Sequence, residues 1–142
     1  MNLKLEWVLA AVLLASPALA ADVEITDAWM RALPAKLPAA GYFTLHNKAR
    51  SAVSLTGAAS PLCGMLMLHR SVDKGGMGSM EDVQSVAVPP GGTIRFAPGG
   101  YHLMCMEPAA GLVPGGKAPV SLSFSDGSRT SAAFAVKNAQ GK

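Results

Sequence analysis

Apolar and polar residues alternate with period two along most of this chain, the pattern of strands buried on one face. Val120, Leu122 and Phe124 alternate with Ser121, Ser123 and Ser125; Ile94 and Phe96 alternate with Thr93 and Arg95; Val53 and Leu55 alternate with Ser54 and Thr56. Strong turn signals separate these runs: Pro89-Pro90-Gly91-Gly92, Pro98-Gly99-Gly100, Pro114-Gly115-Gly116 and Asp126-Gly127, the last a hairpin signal. The pattern predicts strands near 23–30, 40–47, 53–58, 64–70, 80–87, 93–97, 101–107, 119–125 and 131–137. No helical stripe of any length follows residue 20. Many short strands with such punctuation predict an all-β domain, an antiparallel Greek-key β-sandwich or barrel.

The first 20 residues depart from this pattern. Lys4 precedes an apolar run from Trp7 to Ala15, then Ser16-Pro17 and Ala18-Leu19-Ala20. This order predicts an export signal cleaved after Ala20 and a periplasmic location. The run is shorter than the roughly 20 residues a membrane-spanning helix needs, so no stable membrane insertion is expected. Residues 21–142 suffice for one domain with its own core. The net charge of +3 is unchanged by removal of Lys4 and Glu6, and no basic run with interleaved aromatics announces nucleic-acid binding. The two cysteines, Cys63 and Cys105, form no Cys-x-x-Cys. In an oxidising compartment a disulfide is the default suspicion for a pair that can meet.

Candidate chemistry lies in the methionines and histidines. Of the methionines after residue 20, all but Met30 fall between Met65 and Met106, and two of the three histidines, His69 and His102, lie among them. Thioether and imidazole are neutral, soft to borderline ligands, and a site of these alone selects Cu(I) over zinc, magnesium or calcium. Strand parity sorts them. Leu66 and Leu68 share one face and Met65, Met67 and His69 the other; Tyr101, Leu103 and Cys105 oppose His102, Met104 and Met106. If the leucine faces are core faces, His69, His102 and Met104 stand outward. His102 and Met104 are then roughly 7 Å apart at Cα, close enough to converge on one ion. Met80, beyond the Gly75-Gly76-Met77-Gly78 turn, could close the site; Met30, Met77 and Met106 read as spectators, though Met77 and Met106 sit close enough to substitute.

A second reading has Met65, Met67, Met104 and Met106 filling a doubly buried sheet, with no metal at all. His46 lacks a methionine neighbour at strand spacing and reads as a surface residue, and Trp29 as a packing anchor. If the strands of His69 and His102 pair so that these histidines oppose, Cys105 faces Leu66, and a three-residue offset of about 10 Å separates it from Cys63. Other sheet arrangements would allow the disulfide.

The spacing His69, ten residues, Met80, twenty-one residues, His102-x-Met104, with Asp27-Ala28-Trp29-Met30-Arg31-Ala32 and Pro98-Gly99-Gly100-Tyr101-His102-Leu103-Met104, resembles the periplasmic copper chaperones called PCuAC. The resemblance spans essentially all of residues 21–142. It implies a cupredoxin-like β-sandwich with a solvent-near Cu(I) site of His69, Met80, His102 and Met104, one ion per chain. It also implies delivery of copper for assembly of cytochrome c oxidase, at its CuA centre, alongside Sco-type thiol proteins. Some members carry a His- and Met-rich C-terminal extension; Asn138-Ala139-Gln140-Gly141-Lys142 has neither residue. The turn at 73–79 is more glycine-rich than the family's. A monomer is expected.

Rival functions are weaker. An electron-transfer cupredoxin needs two His and a Cys around copper, but no histidine follows His102 and Cys105 has the wrong parity. Copper sequestration would use the same site. A metal-free interaction module would present the methionine stripe to a partner. The sparse, scattered carboxylates assemble no catalytic pair or zinc triad, so an enzyme is not expected.

Overall fold

The alternation in Lys117–Phe124 is realised as a strand whose Val120, Leu122 and Phe124 are buried while the intervening serines are not. The computed structural model describes residues 19–142. The predicted leader therefore lies outside the described residues except for Leu19 and Ala20.

The strands are β1 (Val23–Arg31), β2 (Ala39–Asn47), β3 (Val53–Ala59), β4 (Cys63–Lys74), β5 (Met77–Asp82), β6 (Val86–Val88), β7 (Thr93–Phe96), β8 (Tyr101–Pro108), β9 (Lys117–Phe124) and β10 (Arg129–Lys137), with one 3-10 turn at Pro34–Lys36. They form one hydrogen-bonded order, β5-β4-β8-β2-β1-β10-β9-β3-β6, with β7 also on β2. The fold is all-β and cupredoxin-like, as expected from the sequence. Among the described residues no helix is long and apolar enough to cross a membrane.

Two details differ from the sequence pattern. The strand expected at 80–87 is two strands: β5 ends on β4, where Val83 N donates to Leu68 O at 2.9 Å, and β6 begins on β3. These strands lie at opposite ends of the sheet order yet are joined by residues 83–85 alone. The sheet must therefore roll until its two edges approach, and the apolar faces enclose one core. The ladder is also not wholly antiparallel, because β1 and β10 run parallel through Trp29↔Ala135 and Arg31↔Lys137. No tight turn joins these distant segments, so nothing imposes the antiparallel sense on them.

Phe43 anchors the core, with ring centroids 4.4 Å from Phe96 and 5.7 Å from Phe134. Leu66 and Leu68 of β4 and Leu103 of β8 are buried with them. The leucine faces are core faces, and the methionines of these strands are left on the other side. Met30, fully buried, is a core residue.

Candidate metal centre

The β4–β8 ladder sets His69 opposite His102, Met67 opposite Met104 and Met65 opposite Met106. Directly opposed residues project to the same face of a sheet. The β4–β5 hairpin adds Met80 opposite Ser71 and Asp82 opposite His69. Its register is set by Gly75 and Gly76, at φ 63° and 84°, between the paired Lys74 and Met77. Positive φ at both central residues is what a type I′ turn requires, and its twist matches that of the flanking strands. Arg70 Nη2 and Lys74 Nζ lie 3.1 and 3.0 Å from the two oxygens of Glu81 on the other face of the hairpin. Both cations hold the Glu81 carboxyl below its usual pKa, Lys74 the more strongly.

All four predicted residues, His69, Met80, His102 and Met104, thus share one face. The imidazoles meet edge to face, centroids 5.8 Å apart at 78°. His102 Nδ1 lies 3.2 Å from Gly100 O. A carbonyl can only accept, so Nδ1 carries the proton and Nε2 keeps a free lone pair. That Nε2 is buried without a hydrogen-bond partner, and so are both ring nitrogens of His69. Buried polar atoms are rarely left so, and a soft cation would satisfy them. Burial chiefly, and the neighbouring His69 in addition, push the His102 pKa below 6.5, opposed by the Gly100 carbonyl.

Exposure across the cluster is graded. His102 is only 3% exposed, so the expectation that it stands outward at the surface is corrected. It lies in an interior strand, beneath neighbours that parity along one strand does not count. Met104 is half-buried, and Met80 is 58% exposed at the open edge.

A carboxylate also enters the picture, against the expectation of a purely neutral cluster. Asp82 Oδ1 lies 2.7 Å from His69 Nε2, close in distance though not aligned as a hydrogen bond. The signal available in the sequence was the alternation Met80-x-Asp82 on a strand.

Met77 pairs with Lys74 at the hairpin tip, three residues from Met80 and hence on the opposite face, which removes it as a substitute ligand. Met106 shares the site's face, two ladder steps beyond His69 and His102. His46 lies apart, its Nδ1 2.8 Å from Thr93 Oγ1 on the β2–β7 pair. Trp29 packs on Tyr42 at 4.8 Å with Arg31 over both rings.

The histidines oppose, and Cys105 does face Leu66, yet Cys63 and Cys105 are joined in a disulfide with Cα atoms 5.4 Å apart. The 10 Å offset assumed a straight strand. The ladder is interrupted between the Cys63↔Pro108 and Met65↔Met106 pairs, where Glu107 takes φ 51° and a Cβ on Gly64 would come within 2.9 Å of the Glu107 Cβ. Glycine permits this close approach, and the bend carries Cys63 back over Cys105.

A protein-family model described as "Putative lipoprotein LpqE-like" matches residues 23–136. The putative lipoprotein Lxx21020 of Leifsonia xyli subsp. xyli is 36% identical over 120 residues, 84% of this chain and 72% of that protein. Among solved structures, the Cu(I) form of DR1885 from Deinococcus radiodurans matches at TM-score 0.63 and 30% identity, over 88% of this chain and 81% of that one. The copper-bound PCuAC domain from PmoF2 matches at TM-score 0.68 and 22% identity, over 84% and 95%, a likeness of fold.

Proposed function

This chain belongs to the LpqE-like family, and we propose that it is an exported copper-binding chaperone that carries Cu(I) at His69, Met80, His102 and Met104. One ion is held at this cluster. The observation that carries this reading is the buried, unpartnered Nε2 of His102, fixed in its tautomer by Gly100 and facing His69 across the ladder; the ring nitrogens of His69 make no hydrogen bond, though Asp82 Oδ1 lies 2.7 Å from its Nε2. Nδ1–H donation to a carbonyl is how metal-bound histidines are commonly oriented. Thioethers from Met80 and Met104 complete a donor set that prefers Cu(I) to Zn(II). The copper named for the PmoF2 domain and for DR1885 supports the same reading.

The protein acts in the periplasm as a monomer after loss of residues 1–20. Its acceptor is the copper-bearing subunit of cytochrome c oxidase at the CuA centre, with Sco-type thiol proteins as partners. Transfer proceeds by ligand exchange: neutral ligands leave the charge of Cu(I) uncompensated, so a thiolate acceptor binds it more strongly. Electron transfer as a blue-copper protein is disfavoured by one observation. Such a site needs a cysteine thiolate, and both cysteines are in the disulfide.

An anaerobic Cu(I) competition titration on the wild type and on Met104→Ala, with X-ray absorption on the loaded protein, tests the reading. One tight equivalent with nitrogen and sulfur neighbours, weakened in the variant, is expected. A first shell without sulfur, or no binding, rejects it.

A further inference from the structure

Met65, Met67, Met104 and Met106 form two directly opposed pairs on consecutive same-face positions of the β4–β8 ladder. None contributes to the core, whose side of these strands is taken by Leu66, Leu68, Leu103 and Cys105. Met65 is 57% exposed, and Met67, Met104 and Met106 are half-buried. Core filling therefore does not account for them. Directly opposed residues have Cβ atoms about 4.5–5.5 Å apart, with diagonal neighbours about 7–8 Å away. Methionine has three rotatable bonds, so three sulfurs can converge from such positions.

The geometry points to a second, weaker Cu(I) position held by the thioethers of Met65, Met67 and Met106, one ladder step from the His/Met cluster. Its donors are all neutral and soft, which excludes the hard divalent cations and leaves Cu(I) as the fitting ion. Met67 of this position lies directly opposite Met104 of the histidine cluster. An ion can pass from one position to the other by forming one Cu–S bond as another breaks, with no change in oxidation state. Three thioethers with no imidazole hold the ion less firmly than the histidine site, as suits an entry or exit step. The proposal rests on the reading of the neighbouring cluster as a Cu(I) site only for this directional role; the thioether position itself stands on Met65, Met67 and Met106.

The test is an anaerobic titration with Cu(I) beyond one equivalent, using the full mature chain and Met65→Leu/Met106→Leu, which keeps side-chain volume. X-ray absorption and the ¹³C methyl resonances of labelled methionine are read at each equivalent. The wild type is expected to bind a second equivalent that adds sulfur neighbours only and shifts the Met65 and Met106 methyls. The double variant is expected to lose that equivalent and keep the first. Saturation of the wild type at one equivalent, or a second equivalent that persists in the double variant, overturns the proposal. The first equivalent reports separately on the histidine cluster: if it shows no nitrogen neighbour, that reading fails while the thioether position is still decided by the second.

Discussion

His102 is the residue on which the site depends most, because its free lone pair is both buried and aimed by the Gly100 carbonyl. His102→Ala should weaken Cu(I) binding by more than the roughly 10–100-fold that loss of an orienting partner usually costs a metal site, read by competition with a chromophoric Cu(I) chelator. The same burial makes the copper-free protein sensitive to acid. With its folded-state pKa below 6.5, His102 takes up a proton later than it would in the unfolded chain. The unfolded state thus binds more protons as pH falls below about 6.5, and stability declines from there until the folded protein protonates too. Denaturation midpoints compared at about pH 7.5 and pH 5.5 should fall less in His102→Gln than in the wild type; an equal fall would assign the acid sensitivity elsewhere. At this scale the identities of the donors were legible, since His102-x-Met104 and Met67-x-His69 are visible as same-face pairs on strands. The burial of His102 and the arrival of Asp82 beside His69 were not, because each depends on which strand lies alongside.

Two local devices place the proposed ligands at the element scale. The Gly75-Gly76 turn sets the β5 register and so puts Met80 one same-face step from His69. Replacing both glycines by valine puts β-branched residues where φ is positive, which they avoid. The hairpin should slip or splay, weakening Cu(I) binding by about the same factor as Met80→Leu while the core, remote from this tip, keeps its melting transition. The second device is the Cys63–Cys105 bond, which ties the start of β4 to β8 across a sequence separation of 42. Chain-entropy reasoning for a loop of that size gives about 4 kcal/mol, and measured effects run at or below such values. Cys63→Ala/Cys105→Ala should lower unfolding stability by about 3–4 kcal/mol in a denaturant titration, and a loss below about 1 kcal/mol would show that the bend at Gly64 and Glu107 holds without the bond. Turn chemistry in the sequence marked most of these boundaries. The bend did not show, because Glu107 is an ordinary residue in an unusual conformation, and the break after Asp82 did not show because Val83 continues the apolar pattern into β6.

Across the whole molecule, the rolled sheet buries the leucine faces and leaves a strip of imidazole and thioether running from buried His102 to exposed Met80. The all-β class and the inward faces followed from alternation alone; the order of strands did not, since β1 and β10 meet from opposite ends of the chain. The gradient of exposure decides how an acceptor must approach. On the proposed reading of the cluster as a Cu(I) site, Met80 is the most exposed of its four ligands, so a thiolate acceptor would displace that thioether first, while His102, held by Gly100, would be the last to release. Such an exchange is associative. With a soluble Cys-x-x-Cys acceptor in excess, the rate of Cu(I) transfer should rise in proportion to acceptor concentration. It should exceed the rate at which the loaded protein gives up copper to a bulky chelator excluded from the cluster. Met80→Leu, which opens the acceptor's side, should speed transfer while weakening binding, whereas Gly100 replaced by a residue that shifts its carbonyl should weaken binding without that acceleration. A rate independent of acceptor concentration would mean that the ion leaves before the acceptor arrives, and the exposure of Met80 would then have no part in delivery.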